Sequence, residues 1–170
     1  GLGQESARVL SSRGARIIAA ARTREKAAEA CGGFSGEPIP VACELSDPAS
    51  VRACVATVKG LGIPLDVLLC NAGIMALPER ELCHGQEMQF FTNHVGHFLL
   101  VTGLLDQLSK EARVVILSSA AHTMAPSAGI QFDDLTFTTG YKPWVAYGQS
   151  KLANLLFARS LARRFAGTGR

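Results

Sequence analysis

The chain has 170 residues, 48% of them apolar and 18% charged, with a net charge of +3. This suits one globular domain, residues 1–170, with a sizeable core, and excludes a disordered chain. The basic residues are scattered apart from Arg159, Arg163 and Arg164, which argues against a nucleic-acid surface, and no apolar run approaches the roughly 18 residues that span a bilayer.

In chain order, Gly1-Leu2-Gly3 precedes a helix predicted over Gln4–Arg13. A short apolar strand follows at Ala15–Ala21, then a helix at Arg24–Ala30 and a second strand at Ile39–Leu45. Asp47-Pro48 opens the helix Pro48–Lys59, with Asp as cap and Pro at the first helical position. A third strand is expected at Leu65–Cys70, a long helix from about Gln86 to Lys110, and a fourth strand at Arg113–Ser118. The stretch Pro126–Pro143, with two glycines and the pair Asp133-Asp134, has weak periodicity and reads as a long excursion beyond the fourth strand. The last helix runs from near Trp144 to about Phe165. Alternating strands and helices imply parallel strands joined by right-handed crossovers, a Rossmann-type doubly wound α/β sheet whose ligands bind beyond the carboxyl ends of the strands.

Cys31, Cys43, Cys54, Cys70 and Cys83 show neither CxxC nor Cys/His ligand spacing, so no metal site is expected. They read as reduced thiols, in keeping with a reducing, cytoplasmic setting. The chain begins at Gly1 without an initiator Met, so a targeting or membrane-anchoring segment upstream stays open. His94, His97 and His122 read as helix or loop residues and Trp144 as packing, since no third ligand shares the histidine spacing.

Several positions carry chemistry. Gly1-Leu2-Gly3, in front of a helix, fits the remainder of a glycine-rich phosphate loop and equally fits a plain turn. Arg22, directly after the first strand, stands where the adenosine ribose is read; an arginine there accommodates a 2′-phosphate, whereas an acidic residue selects NAD. Its other reading is an exposed arginine at a helix start. Asn71-Ala72-Gly73 follows the third strand and leaves room for a cofactor, or serves as a routine exit turn. Tyr147 and Lys151 are four residues apart and so share one helical face. A free phenol titrates near ~10 and is a poor acid–base group at neutral pH; a neighbouring cation favours the phenolate.

Taken in order, Gly1-x-Gly3, Asn71-Ala72-Gly73, Asn93 in Asn-His-Val-Gly-His, Ser118-Ser119 and Tyr147-x-x-x-Lys151 resemble the short-chain dehydrogenase/reductase family. Ser-Ser-x-x-His at 118–122 and Ala-Tyr-x-x-Ser-Lys-Leu-Ala-Asn-Leu-Leu-Phe at 146–157 are similar to its retinol dehydrogenase and WW-domain-containing oxidoreductase branch. The resemblance implies NADP(H), with NAD disfavoured, held along Gly1, Leu2, Gly3, Arg22, Glu44, Leu45, Asn71, Ala72, Gly73, Tyr147 and Lys151. It makes Tyr147 the general acid–base and Lys151 the holder of the nicotinamide ribose and the cation that favours the phenolate. Ser119, rather than Ser118, would bind the substrate oxygen, and Asn93 would hold a water in a proton relay. Glu44 stands where the family has Asp near the adenine, and Cys70 replaces the first Asn of a common Asn-Asn-Ala-Gly form.

The resemblance further implies that a first strand, central in the sheet between the strands at Ala15–Ala21 and Leu65–Cys70, and the C-terminal strands are absent from this chain. The expected activity is interconversion of an alcohol and a carbonyl on an apolar small molecule. The alternative is a non-catalytic NADP-binding or scaffolding remnant of the same fold; a sugar-nucleotide epimerase sharing Tyr-x-x-x-Lys is disfavoured by Asn71-Ala72-Gly73. Oligomeric state stays open, a homo-oligomer included.

Overall fold

A computed structural model describes residues 1–169. Helix α1 (Leu2–Ser12) leads to β1 (Ile18–Ala21), α2 (Arg24–Ala30), β2 (Ile39–Ala42), α3 (Pro48–Gly60) and β3 (Leu65–Cys70). A small hairpin, β4 (Leu82–Cys83) and β5 (Gln86–Glu87), precedes α4 (Met88–Phe90), a π-helical turn (Phe91–Val95) and α5 (Gly96–Leu104). Strand β6 (Leu108–Ile116), a 3-10 helix (Ala120–Met124) and α6 (Pro143–Phe165) complete the order.

Local chemistry sets most boundaries. The Thr23 hydroxyl accepts from the Lys26 amide at 3.3 Å and starts α2, and the Asp47 carboxylate accepts from the Ala49 amide at 2.9 Å to start α3. The expected first strand is shorter than its apolar run. After α1, Gly14 adopts φ +88 and the Ala15 amide bonds back to the Leu10 carbonyl, so Ala15 still belongs to the helix exit. Strand β2 stops at Ala42 because the Glu44 carboxylate takes the amide and hydroxyl of Ser46, turning the chain.

The expected helix over 86–110 requires correction at both ends. Gln86–Glu87 pairs antiparallel with Leu82–Cys83 around His84-Gly85, both at positive φ. Leu108, Ser109 and Lys110 begin β6, with Leu108 in register with Leu65. An apolar run such as Leu104-Leu105 is compatible with either state; pairing with β3 decides it.

β1 and β2 form one parallel pair and β3 and β6 another, and among the described residues no strand links the two pairs. One core cluster joins Val41, Cys43 and Leu45 to Val51, Cys54 and Val58 of α3 and Leu104 of α5. A second joins Cys70 to Val101 of α5 and to Phe157 and Leu161 of α6. All five cysteines are buried and unbridged, and burial pushes the Cys70 thiol up to about 12.

The pleat of β3–β6 sends Leu68, Cys70, Val114 and Ile116 into that second core. The alternate residues Val67, Leu69, Val115 and Leu117 are 50%, 38%, 44% and 40% exposed. An open apolar strand face of this kind drives association. The 170-residue chain produced alone should therefore bind ANS strongly and sediment as concentration-dependent aggregates, with no turnover. A monodisperse sample with a sharp thermal transition and no dye binding would refute this.

Candidate active site

The site assembles around α6, whose residues from Ala146 to Lys151 are all buried. Pro143 at its first turn needs no amide partner and fixes the entry. The four-residue spacing puts Lys151 Nζ over the Tyr147 ring, 5.5 Å from its centroid. Lys151 is 3% exposed, and burial holds its ammonium below the usual lysine range. Its Nζ donates to the Leu117 carbonyl, just past β6, at 3.2 Å. Among the described residues the Tyr147 hydroxyl engages no protein group, leaving it available to a ligand.

The two serines after β6 differ in their bonding. The Ser118 hydroxyl donates to the Lys151 carbonyl at 2.8 Å, pinning α6 to the strand end. Ser119 caps the 3-10 helix, accepting from the Ala121 amide at 3.2 Å, and among the described residues its own proton is given to no protein acceptor.

Asn93, fully buried, stitches the third-strand loop to α6. Its Oδ1 accepts from the Ile74 amide at 2.8 Å, and its Nδ2 donates to the Ile74 carbonyl at 2.9 Å and to the Ser150 hydroxyl at 3.0 Å. Gly73 is required between them: a Cβ there would lie 2.8 Å from Asn93 Oδ1 and 3.7 Å from Lys151 Nζ. The Asn93 backbone carbonyl is occupied as well, accepting from Asn154 Nδ2 at 3.1 Å and lying 2.9 Å from His97 Nδ1. A carbonyl oxygen has two lone pairs, and among the described residues Asn93 Oδ1 accepts one hydrogen bond, from the Ile74 amide, which leaves it a second acceptor site.

The remaining positions spread along the carboxyl ends of the strands. Gly1, Leu2 and Gly3 form the start of α1, and a Cβ on Gly3 would come within 2.6 Å of Asn71 Nδ2. Asn71, Ala72 and Gly73 leave the end of β3. Arg22 is exposed just after β1 and, among the described residues, forms no ion pair. One oxygen of Glu44 is committed to Ser46. The Leu45 side chain is core, so only its backbone can face a ligand.

These residues fit a dinucleotide: glycines without side chains at the α1 start and beside Lys151, a cation after β1 and a phenol beside the buried lysine, both without a partner among the described residues.

The excursion 126–143 is fastened over this region by groups the sequence reading did not single out. Gln89 Oε1 accepts from the Ala76 amide at 2.6 Å, while its Nε2 lies 3.1 Å from the Tyr141 hydroxyl and 3.3 Å from the Pro143 carbonyl. Tyr141 donates in turn to the Leu77 carbonyl at 2.9 Å. Glu87, buried beneath them, accepts from Gln89 Nε2 and the Phe90 amide, and burial raises its carboxyl above the usual range. Gln149 Oε1 accepts from the Gln131 amide at 3.0 Å. Trp144, expected as packing, is 46% exposed and stands edge-on to Tyr147 with centroids 5.9 Å apart. His94 and His97 are tied to Asn154 and Asn93; burial lowers both below the usual imidazole range. Among the described residues no metal-binding group of side chains occurs and no helix is long and apolar enough to cross a membrane.

The chain is similar to known proteins over almost its whole length. A Streptomyces antibioticus protein named "Probable oxidoreductase" is 46% identical over 99% of this chain and 57% of its own length. Retinol dehydrogenase 12 of Mus musculus is 42% identical over 99% of this chain and 55% of its own. The chain thus spans little more than half of these curated relatives. Among solved structures, the Pseudomonas aeruginosa RhlG/NADP active-site complex superimposes with a TM-score of 0.76, at 28% identity, over 99% of this chain and 64% of that one. The family profile described as short chain dehydrogenase matches residues 1–132. With that match, and with the strand-end loops and the Tyr147–Lys151 helix in place, the chain belongs to the short-chain dehydrogenase family.

Proposed function

We propose that the full-length protein is an NADP(H)-dependent oxidoreductase that interconverts an alcohol and a carbonyl on an apolar small molecule. The observation that carries this reading is the buried Lys151 ammonium, 5.5 Å over the ring of Tyr147, whose hydroxyl has no partner among the described residues. When bound, the nicotinamide cofactor supplies the hydride. Arg22 would take the 2′-phosphate, the start of α1 the pyrophosphate, and Lys151 the nicotinamide ribose.

Tyr147 donates its proton to the carbonyl oxygen in reduction and recovers it in oxidation, and the Lys151 cation favours the phenolate between the two. Ser119 donates its unengaged proton to the same oxygen and orients it. Asn93 holds the Gly73–Ile74 loop against α6 and would hold a water in a proton relay near Lys151. Met75, Met124, Phe132 and Trp144, all exposed, supply apolar surface of the kind a non-polar substrate requires. The name of the mouse relative, a retinol dehydrogenase, supports the same substrate class, and the NADP complex supports the cofactor.

The cofactor assignment is tested by kcat/KM with NADPH and NADH. The unmodified protein should favour NADPH, and Arg22→Asp should swing the ratio toward NADH by on the order of tenfold or more, about the worth of a charge-assisted hydrogen bond. A preference for NADH in the unmodified protein, or a ratio that Arg22→Asp leaves alone, contradicts the assignment.

A further inference from the structure

Among the described residues, the buried Lys151 ammonium donates to one protein oxygen. The Leu117 carbonyl lies past the end of β6, its amide bonded to the Cys70 carbonyl at 3.0 Å, and it receives Lys151 Nζ at 3.2 Å. It also receives Asn154 Nδ2, again at 3.2 Å. The same Nδ2 reaches the Asn93 carbonyl at 3.1 Å. An amide nitrogen carries two protons, so Asn154 bridges the strand end to the π-helical turn.

The Asn93 carbonyl belongs to the π-helical turn Phe91–Val95. A π turn interrupts the regular α-helical hydrogen-bond ladder, and such turns recur at functional sites. Here the Asn93 carbonyl accepts from two side chains, those of Asn154 and His97.

The two carbonyls also fix the orientation of the Asn154 amide, because only Nδ2 can donate to them. Its Oδ1 must then accept, and the His94 Nδ1 at 3.1 Å must carry the proton. His94 is in turn held by ring contacts with Phe90, Phe98 and Phe157. Asn154 is 1% exposed, and among the described residues these are its side-chain polar contacts.

We propose that Asn154 is a positioning residue for Lys151: its amide bridges the Leu117 and Asn93 carbonyls and so fixes the oxygen on which the ammonium rests over Tyr147. The inference rests on the acid–base reading of Tyr147 and Lys151. The titratable groups facing this region are Tyr147 on α6 itself, His94 from the π turn and His97 from α5, and burial lowers both imidazoles, favouring their neutral forms. Lys151 is therefore the cation on which the phenolate depends.

The test uses the full-length protein and NADP+-dependent oxidation of an apolar alcohol, followed from pH 6 to 10 in unmodified, Asn154→Asp, Asn154→Ala and His94→Phe forms. Asn154→Asp keeps the size and the acceptor for His94 but removes both donated protons. Both Asn154 variants should lower kcat on the order of tenfold to a hundredfold. They should also move the rising limb of the profile up by about one pH unit, because a displaced ammonium favours the phenolate less.

His94→Phe keeps the ring packing, releases only Oδ1, and should move the limb the same way by less. It decides the matter should the Asn154 variants not fold. A purely structural Asn154 would lower Tm while the folded fraction kept the unmodified kcat and limb; that result, or an unmoved limb in His94→Phe, overturns the proposal. An unmodified protein without turnover would instead remove the acid–base reading beneath it.

Discussion

Replacing Tyr147 by phenylalanine in the full-length protein should depress kcat for both oxidation and reduction by on the order of a hundredfold to ten-thousandfold, the range of a positioned general acid–base. NADPH affinity should hardly change. Phenylalanine keeps the ring that Trp144 meets edge-on at 5.9 Å and that Lys151 overlies at 5.5 Å, so the substitution deletes one hydroxyl and little packing. Lys151→Met provides the contrast. It removes the cation from a site where burial already disfavours charge, together with the proposed ribose contact, so rate and cofactor affinity should fall together. Any residual oxidation should need higher pH, because the phenolate has lost its cation. Steady-state rates in both directions, beside a fluorescence titration with NADPH, check this. Near-normal turnover in Tyr147→Phe would falsify the enzymatic reading.

Ser119→Ala should lower kcat on the order of tenfold to a thousandfold, the scale for losing a hydrogen-bond donor aimed at a transition-state oxygen. Ser118→Ala should act differently, although the two residues are adjacent. The Ser118 proton already belongs to the Lys151 carbonyl, at 2.8 Å, so its loss loosens the seat of α6 and should appear chiefly as a stability change of about 1 kcal/mol. The Ser119 hydroxyl accepts from Ala121 and keeps its proton for a ligand. Paired measurements of kcat and Tm separate the two. Equal falls in kcat at unchanged Tm would show the roles to be misassigned.

Local pattern determined a good deal. The apolar run bounded by Pro64 and Asn71 marked β3 over Leu65–Cys70, alternation with helices announced parallel pairing, and the four-residue spacing placed Tyr147 and Lys151 on one face of α6. Each rests on a period or a cap within one segment, and such signals survive in sequence. The split of Gln86–Lys110 into hairpin, π turn, helix and strand did not, because its apolar residues suit helix and strand alike until β3 pairs with β6.

Asn154 lies three residues past Lys151, which is enough to place it on the same face. Nothing in its segment says that it meets the Leu117 and Asn93 carbonyls, 37 and 61 residues away in the chain. Gln89, reaching 52 residues to Tyr141, was hidden for the same reason. The sequence by itself determined which residue types share a helical face or a strand end. Only the tertiary structure decided which backbone carbonyls those side chains meet. A carbonyl looks alike at every position in a sequence, and only packing brings a given one within about 3 Å of a given donor.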